Sequence, residues 1–276
     1  MLECVINISE GRRTDVVDAI AAAAGRDLLD VHRDPHHHRA VLTVVGEGAA
    51  RDVARAAVER LDLTAHRGVH PRIGVLDVVP FVPLGPTTPA DAVRAREAFM
   101  RWAADDLGLG SHRYGPLGSP TGPGTTWAEW PDQRTLPEVR RRAAEGARPD
   151  VGPAGPDPRR GAAAVGARPV LVAYNLWLAE PDLALARRIA TAVRGPALRA
   201  LGLPVGDRVQ VSMNLVDPGE LGPAQAWDAV AALAPVAGAE LVGLVPAAVL
   251  EAIDPSRWER LDLSADRTIE ARLARR

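Results

Sequence analysis

The chain has 276 residues, enough for one large or two smaller domains with a substantial core, and its 47% hydrophobic share is that of a globular protein. A formal net charge of −2 gives no electrostatic reason to expect nucleic acid or an anionic membrane as partner. All 33 Lys+Arg residues are arginine, which excludes Schiff-base and P-loop lysine chemistry and leaves anionic ligands to Arg, helix N-termini or backbone amides.

Residues 2–7 are predicted as a strand that ends in the turn Ser9-Glu10-Gly11. Glu3, Asn7 and Glu10 make this start unsuitable as a signal-peptide core, and no apolar run approaches the roughly 18–20 residues of a membrane span. A cytoplasmic location is therefore expected. Cys4, the one cysteine, lies in this apolar run and reads as a buried structural thiol; it excludes an internal disulfide.

A helix is predicted over 14–24, with Thr14 as N-cap and Gly25 as stop. Strands over 27–31 and 40–45, a helix over 49–61 and a strand over 75–82 complete a βαββαβ order, the split βαβ unit of ferredoxin-like folds. A further helix covers 89–107. From 108 to 168 the chain turns rich in Gly, Pro, Ser and Thr, with one short helix at 136–144. So long an irregular segment suggests a linker or a binding loop, and Trp127, Trp130, Arg134 and Arg140 to Arg142 favour a loop that lines a ligand site.

The second half repeats the order: strand 170–177, helix 182–193, a weak element at 198–203, an alternating strand 208–216, helix 223–233, strand 240–245 and helix 247–253. The expected fold class is α+β: two ferredoxin-like subdomains, 1–165 and 166–276, with a ligand groove between them.

The seven histidines all lie before residue 113, so the general base is expected in the first half. The densest polar block is His66-Arg67-Gly68-Val69-His70-Pro71-Arg72-Ile73-Gly74, which leads into the strand at 75–82. Gly68 and Gly74 allow close backbone approach and Pro71 fixes the chain direction, so polar groups here are placed for catalysis. Gly68 and Pro71 also argue against the helix on which His66 and His70 would form a metal pair. The run His32-Arg33-Asp34-Pro35-His36-His37-His38-Arg39 invites a metal, but three adjacent imidazoles on an extended chain point apart. A solvated loop, or one that supplies a single His to substrate, is the expected reading, and no metal is expected.

The sequence resembles the glutamate formimidoyltransferase family in collinear order along nearly its whole length. The resemblance runs through Glu3-Cys4-Val5-Ile6-Asn7-Ile8-Ser9-Glu10-Gly11, Leu28-Leu29-Asp30-Val31 and the block from His66 to Asp77. It continues through Gln133-Arg134-Thr135-Leu136-Pro137, Pro149-Asp150-Val151-Gly152-Pro153, Gln210-Val211-Ser212-Met213-Asn214-Leu215 and Leu241-Val242-Gly243-Leu244-Val245-Pro246. The His-Arg-Gly-Val-His-Pro-Arg block is the specific part. His32 and His38 are departures, standing where the family usually has an acidic residue and Asn, and about ten residues are missing before Pro149.

What the resemblance implies is transfer of the formimino group from N-formimino-L-glutamate to N5 of tetrahydrofolate in histidine degradation. It implies a homodimeric, stand-alone transferase without the cyclodeaminase domain fused to some members. Tetrahydrofolate would be a co-substrate. The family's catalytic histidine falls on His70, and its folate-binding loop on Gly152, Pro153 and Gly161. A single imidazole titrating near neutrality can move the one proton that must pass from N5 to the departing amine. Two polycarboxylate ligands call for cations, for which Arg39 and Arg72 are candidates; Asp30, in the resembling Leu28-Leu29-Asp30-Val31 run, is a further substrate-binding candidate. A folate-binding paralogue without transferase activity and a metal-assisted amidine or amide hydrolase are the alternative readings.

Overall fold

The computed structural model describes residues 1–68, 71–155 and 157–276. The apolar, β-branched runs predicted as strands are strands: β1 (Leu2–Ile8), β2 (Leu28–Asp34), β3 (Arg39–Val45) and β4 (Leu76–Pro83). Helices α1 (Thr14–Ala22), α2 (Glu47–Arg60) and α3 (Pro89–Leu107) pack their apolar stripes on one face of that sheet, in a core that includes Ile6, Ile20, Val53, Val79, Phe81 and Phe99. Thr88 and Asp91 form a capping box at the start of α3, and Gly108, at φ 59°, closes its end.

The cap of α1 differs from expectation. Thr14 is its first helical residue and the Arg13 side chain does not cap it. Instead the Glu10 carboxylate accepts from the backbone N–H groups of Gly11, Arg12 and Arg13 at 3.0, 2.9 and 3.1 Å.

The stretch 108–168 is more regular than its composition suggests. It holds β5 (Gly110–Pro116), the short β6 (Gln133–Arg134), α4 (Leu136–Ala144) and β7 (Ala162–Ala167). β7 lies parallel to β4 on one side and to β5 on the other, so the first sheet runs β2-β3-β1-β4-β7-β5-β6 and is not antiparallel throughout. Its Ala-Ala-Ala-Val-Gly-Ala sequence carries little strand signal because the strand is buried on both faces and only small residues fit. A Cβ on Gly166 would stand 2.2 Å from the Tyr114 ring.

The second unit comprises β8 (Val172–Leu178), α5 (Leu183–Ala192), β9 (Leu198–Val205), β10 (Arg208–Leu215), α6 (Pro223–Ala231), β11 (Val236–Val242), α7 (Ala247–Glu251) and α8 (Ile269–Leu273). The weak element at 198–203 is thus an edge strand, and the last strand comes earlier than 240–245. The order β11-β8-β10-β9 is antiparallel throughout. With β2-β3-β1-β4 in the first unit, both halves share the strand order of the ferredoxin-like split βαβ unit. The chain divides into two compact units, Met1–Pro169 and Val170–Arg276. Among the described residues no helix is long and apolar enough to cross a membrane.

Candidate active site

Topology collects the polar segments of the first unit on one edge of its sheet. β1 and β2 end there, and β3, β4, β5 and β7 begin there, as the pairs Ile8↔Leu76, Asp34↔Arg39 and Gly110↔Ala162 require. The turn Ser9-Glu10-Gly11, the histidine loop 35–38, residues 66–68 and 71–74, and residues 157–161 therefore meet. The contacts are tight. A Cβ on Gly11 would lie 2.4 Å from the Asp34 carbonyl oxygen, and one on Gly68 would lie 2.7 Å from that of His37. A Cβ on Gly161, which stands at φ 72°, would lie 2.1 Å from the Ile73 carbonyl oxygen, and Ala162 N–H donates to that oxygen at 2.9 Å.

Ser9, His37, His38, Arg39, Arg72 and Asp77 line a narrow cleft at this edge. A larger depression of about 450 Å³ lies at the opposite edge, around Met1, Gly46 and Thr87. There Arg94 is already paired with Asp91, so the smaller cleft has the stronger chemistry.

Burial lowers Arg39 to about 10, with Asp77 and Asp34 opposing the shift, so it stays cationic at neutral pH. Burial likewise lowers Arg72, opposed by Asp77, and the Arg72 guanidinium donates to the Gly68 carbonyl. Asp77 is buried; one oxygen accepts from Ile73 N–H at 2.7 Å and the other from Arg140 Nη2 at 2.9 Å. Ser9 Oγ donates to the Gly74 carbonyl at 2.8 Å. Two arginines, a buried carboxylate and a hydroxyl thus meet at this edge.

The histidine loop is fixed by two carboxylates. Asp34 accepts from the N–H groups of His36 and His37, both at 2.8 Å, and pairs with the His37 ring. Burial would raise the Asp34 carboxyl, but the bonds from His37 hold it at about 2. Burial would also raise Glu10, which the Arg13 and Arg12 N–H groups and the Arg13 guanidinium hold at about 2. Glu10 Oε1 lies 2.9 Å from His38 Nε2, and His38 Nδ1 lies 3.1 Å from the Arg67 carbonyl oxygen. The His38 ring stacks on His66 with centroids 4.0 Å apart and 17° between planes. His66 Nε2 donates to the His38 carbonyl at 2.9 Å, and burial lowers the pKa of its ring. With both nitrogens engaged, His38 has none left for a metal, and among the described residues no three of His, Cys, Asp and Glu converge as ligands.

The sequence-predicted residues are not all brought together. Arg39 and Arg72 share the cleft, and Gly161 packs on the segment that carries Arg72. Asp30 pairs with Thr43 in the β2–β3 register, four residues from Asp34 and so about 13 Å along the strand; it is outside the cleft. Gly152, at φ 95°, and Pro153 lie beside Leu109 and Gly110 at the start of β5, on the same edge but away from the cleft lining. His70 lies outside the described residues.

Sequence reasoning missed Glu10, Asp77 and the side of the sheet opposite α1 to α3. Asp77 had a signal: a lone carboxylate in an apolar strand needs a buried partner. The register puts His32, Val41, Asn7, Val78, Ala164 and His112 in one row across that second face, where α4 covers Val78, Tyr114 and Ala164 with Val139. Cys4 is buried at 1% exposure, and burial, aided by Glu3, pushes its thiol well above the usual range.

Fold and site together define a two-unit, ferredoxin-like α+β protein with an arginine-lined cleft at one edge of its first sheet. Residues 1–168 match the family model described as formiminotransferase domain, N-terminal subdomain. The chain is 34% identical to the glutamate formimidoyltransferase of Thermoplasma acidophilum over 94% of its own length and 91% of that protein. It is 32% identical to the glutamate formimidoyltransferase of Streptococcus pyogenes, over 91% and 90% respectively. Against the formimidoyltransferase-cyclodeaminase of Sus scrofa it is 36% identical over 89% of its length, and spans 50% of that relative. The chain belongs to the formiminotransferase family.

Proposed function

We propose that this protein is a glutamate formimidoyltransferase, which moves the formimino group of N-formimino-L-glutamate to N5 of tetrahydrofolate. The observation that carries this reading is the meeting of Arg39, Arg72 and Asp77 in one cleft, beside the segment that leads to His70, in a chain of this family. N5 attacks the amidine carbon and forms a C–N bond. N5 then gives up its proton, the bond to the glutamate nitrogen breaks, and that nitrogen takes a proton. One proton leaves and one arrives, so a single imidazole, His70, serves as base and then as acid.

Arg39 and Arg72 hold donor carboxylate, with Asp30 further along the same sheet face. Gly152, Pro153 and Gly161 belong to the folate-binding segment, and tetrahydrofolate is a co-substrate. The working protein is a homodimer of the cytoplasm, in histidine degradation. Its segment 115–161 gains protection from hydrogen exchange when folate binds.

Incubation with tetrahydrofolate and formiminoglutamate, followed by mass spectrometry, tests the reading. The expected products are a formimino-tetrahydrofolate adduct and an equal amount of free glutamate. Unchanged folate with measurable folate binding would point to a non-transferring binding protein, and donor hydrolysis without folate would point to a hydrolase.

A further inference from the structure

His38 stands in the left-handed region, at φ 54°, at the last position of the histidine loop. Both of its ring nitrogens face acceptors: Nε2 faces the Glu10 carboxylate at 2.9 Å and Nδ1 faces the Arg67 carbonyl at 3.1 Å. A neutral imidazole carries one N–H and one lone pair, so it can satisfy one acceptor and must turn its lone pair on the other. Only the doubly protonated ring donates to both. Glu10, at 2% exposure, supplies the counter-charge.

The surrounding groups favour the same arrangement. The His66 ring, stacked on His38, is a neutral π-face: its Nε2–H donates to the His38 carbonyl, and burial disfavours its charged form. The charges nearby are Arg13, which pairs with the other Glu10 oxygen, Arg72, which reaches the Gly68 carbonyl, Asp34, which faces His37, and Arg39 and Asp77, which line the same cleft. The Glu10–His38 bridge spans 28 residues of sequence and ties the cap of α1 to the loop that precedes β3, while the His38–Arg67 contact reaches the segment that precedes β4.

We propose that His38, as an imidazolium clamped between Glu10 and the Arg67 carbonyl, is a positioning residue that sets the placement of residues 66–68 relative to Arg39. It acts through the residues that lead to the proposed proton-transfer group. Loss of either N–H would leave one of the two acceptors facing a lone pair. The functional part of this inference rests on the transferase reading above; the structural part does not.

The test uses the full chain labelled with ¹⁵N-histidine and the variant His38→Asn. Asn tolerates the left-handed backbone but is too short to span both acceptors. At pH 7 the wild type is expected to show one imidazole with both nitrogens protonated, a signal absent from the variant; only neutral rings at that pH would overturn the proposal. Amide exchange at 66–68 should quicken about tenfold in the variant, with the thermal midpoint little changed, and unchanged exchange would overturn the positioning role. In single-turnover transfer, His38→Asn should lower the rate about 10–100-fold with KM for the donor within about twofold, the signature of misplacement rather than lost binding. Glu10→Gln added to that variant should lower the rate little further, because the clamp is already open; a full additive loss would show that the two residues act separately. If the wild type transfers nothing, the transferase reading fails, while the NMR and exchange results still decide the clamp.

Discussion

Arg140 donates to the buried Asp77 carboxylate at 2.9 Å across 63 residues of sequence, which fastens α4 to the first turn of β4. The pair sits where the cleft lining and the 136–144 helix meet, so its loss should be felt in both. Arg140→Met removes one of the donors to Asp77, which is 2% exposed and keeps the Ile73 N–H. The expected cost is about 1–3 kcal/mol, below that of a fully buried pair because Arg140 keeps 23% of its side-chain surface in water. Thermal or denaturant unfolding checks this, and adding Asp77→Asn should recover part of the loss.

Glu10 should make the protein sensitive to acid. Its folded carboxyl titrates at about 2, below the ordinary value of 4.5, so as pH falls the unfolded chain takes up the proton first. The stabilisation it provides is therefore complete above about pH 5 and is lost progressively as pH falls towards 2. Glu10→Gln should destabilise by roughly 2–3 kcal/mol at pH 7 and hardly at all near pH 2. Urea midpoints of the two proteins across that range measure the convergence. A gap that stayed constant with pH would mean the charge is not what stabilises the cap.

Much of this was legible in the sequence because local and tertiary signals agreed. α3 (Pro89–Leu107) and α4 (Leu136–Ala144) match their predicted bounds, since each opens on a Thr capping box followed by Pro and neither depends on distant partners for its limits. β7 was not legible. Its alanines suit a strand only because Tyr114 and α4 crowd one face and α3 the other, and a sequence pattern does not report that crowding. The cleft was half legible: Arg39 and Arg72 stood out beside histidine-rich blocks. Asp30 looked equally close to the site because β2 is continuous with the histidine loop, but the strand's rise carries it about 13 Å away.

Gly161 should resist substitution. Its φ of 72° strains any L side chain, and a Cβ would lie 2.1 Å from the Ile73 carbonyl oxygen and 2.7 Å from Gly74 Cα, both backbone atoms that cannot swing aside. Gly161→Ala should cost roughly 3 kcal/mol or more, and should disturb segment 66–74 through Ile73. Gly155, with open space around its Cβ position, is the control: Gly155→Ala should be near neutral. Calorimetry of the two variants gives the comparison directly.

The strongest functional expectation contrasts His70 with His66. His70 lies in the segment whose flanks the structure ties down: Gly68 against His37, Arg72 on the Gly68 carbonyl, and Gly74 against Ala162. His66 has a structural task already, since its Nε2 donates to the His38 carbonyl and its ring stacks on His38. Its Nδ1 is buried without a hydrogen-bond partner among the described residues. If His70 moves the proton between N5 and the leaving amine, His70→Ala should lower single-turnover transfer by about 10²–10⁴-fold while folate affinity stays within about twofold. His66→Ala should cost stability first, with transfer falling by less than His70→Ala once the folded fraction is taken into account. Rate, folate affinity and unfolding midpoint must be measured on the same preparations, because a residue that only braces the turn would lower activity in step with folded protein. A folded His70→Ala variant that transfers at near the wild-type rate would move the proton transfer to another group, and His37, one of the two imidazoles that line the cleft, would be the one to test.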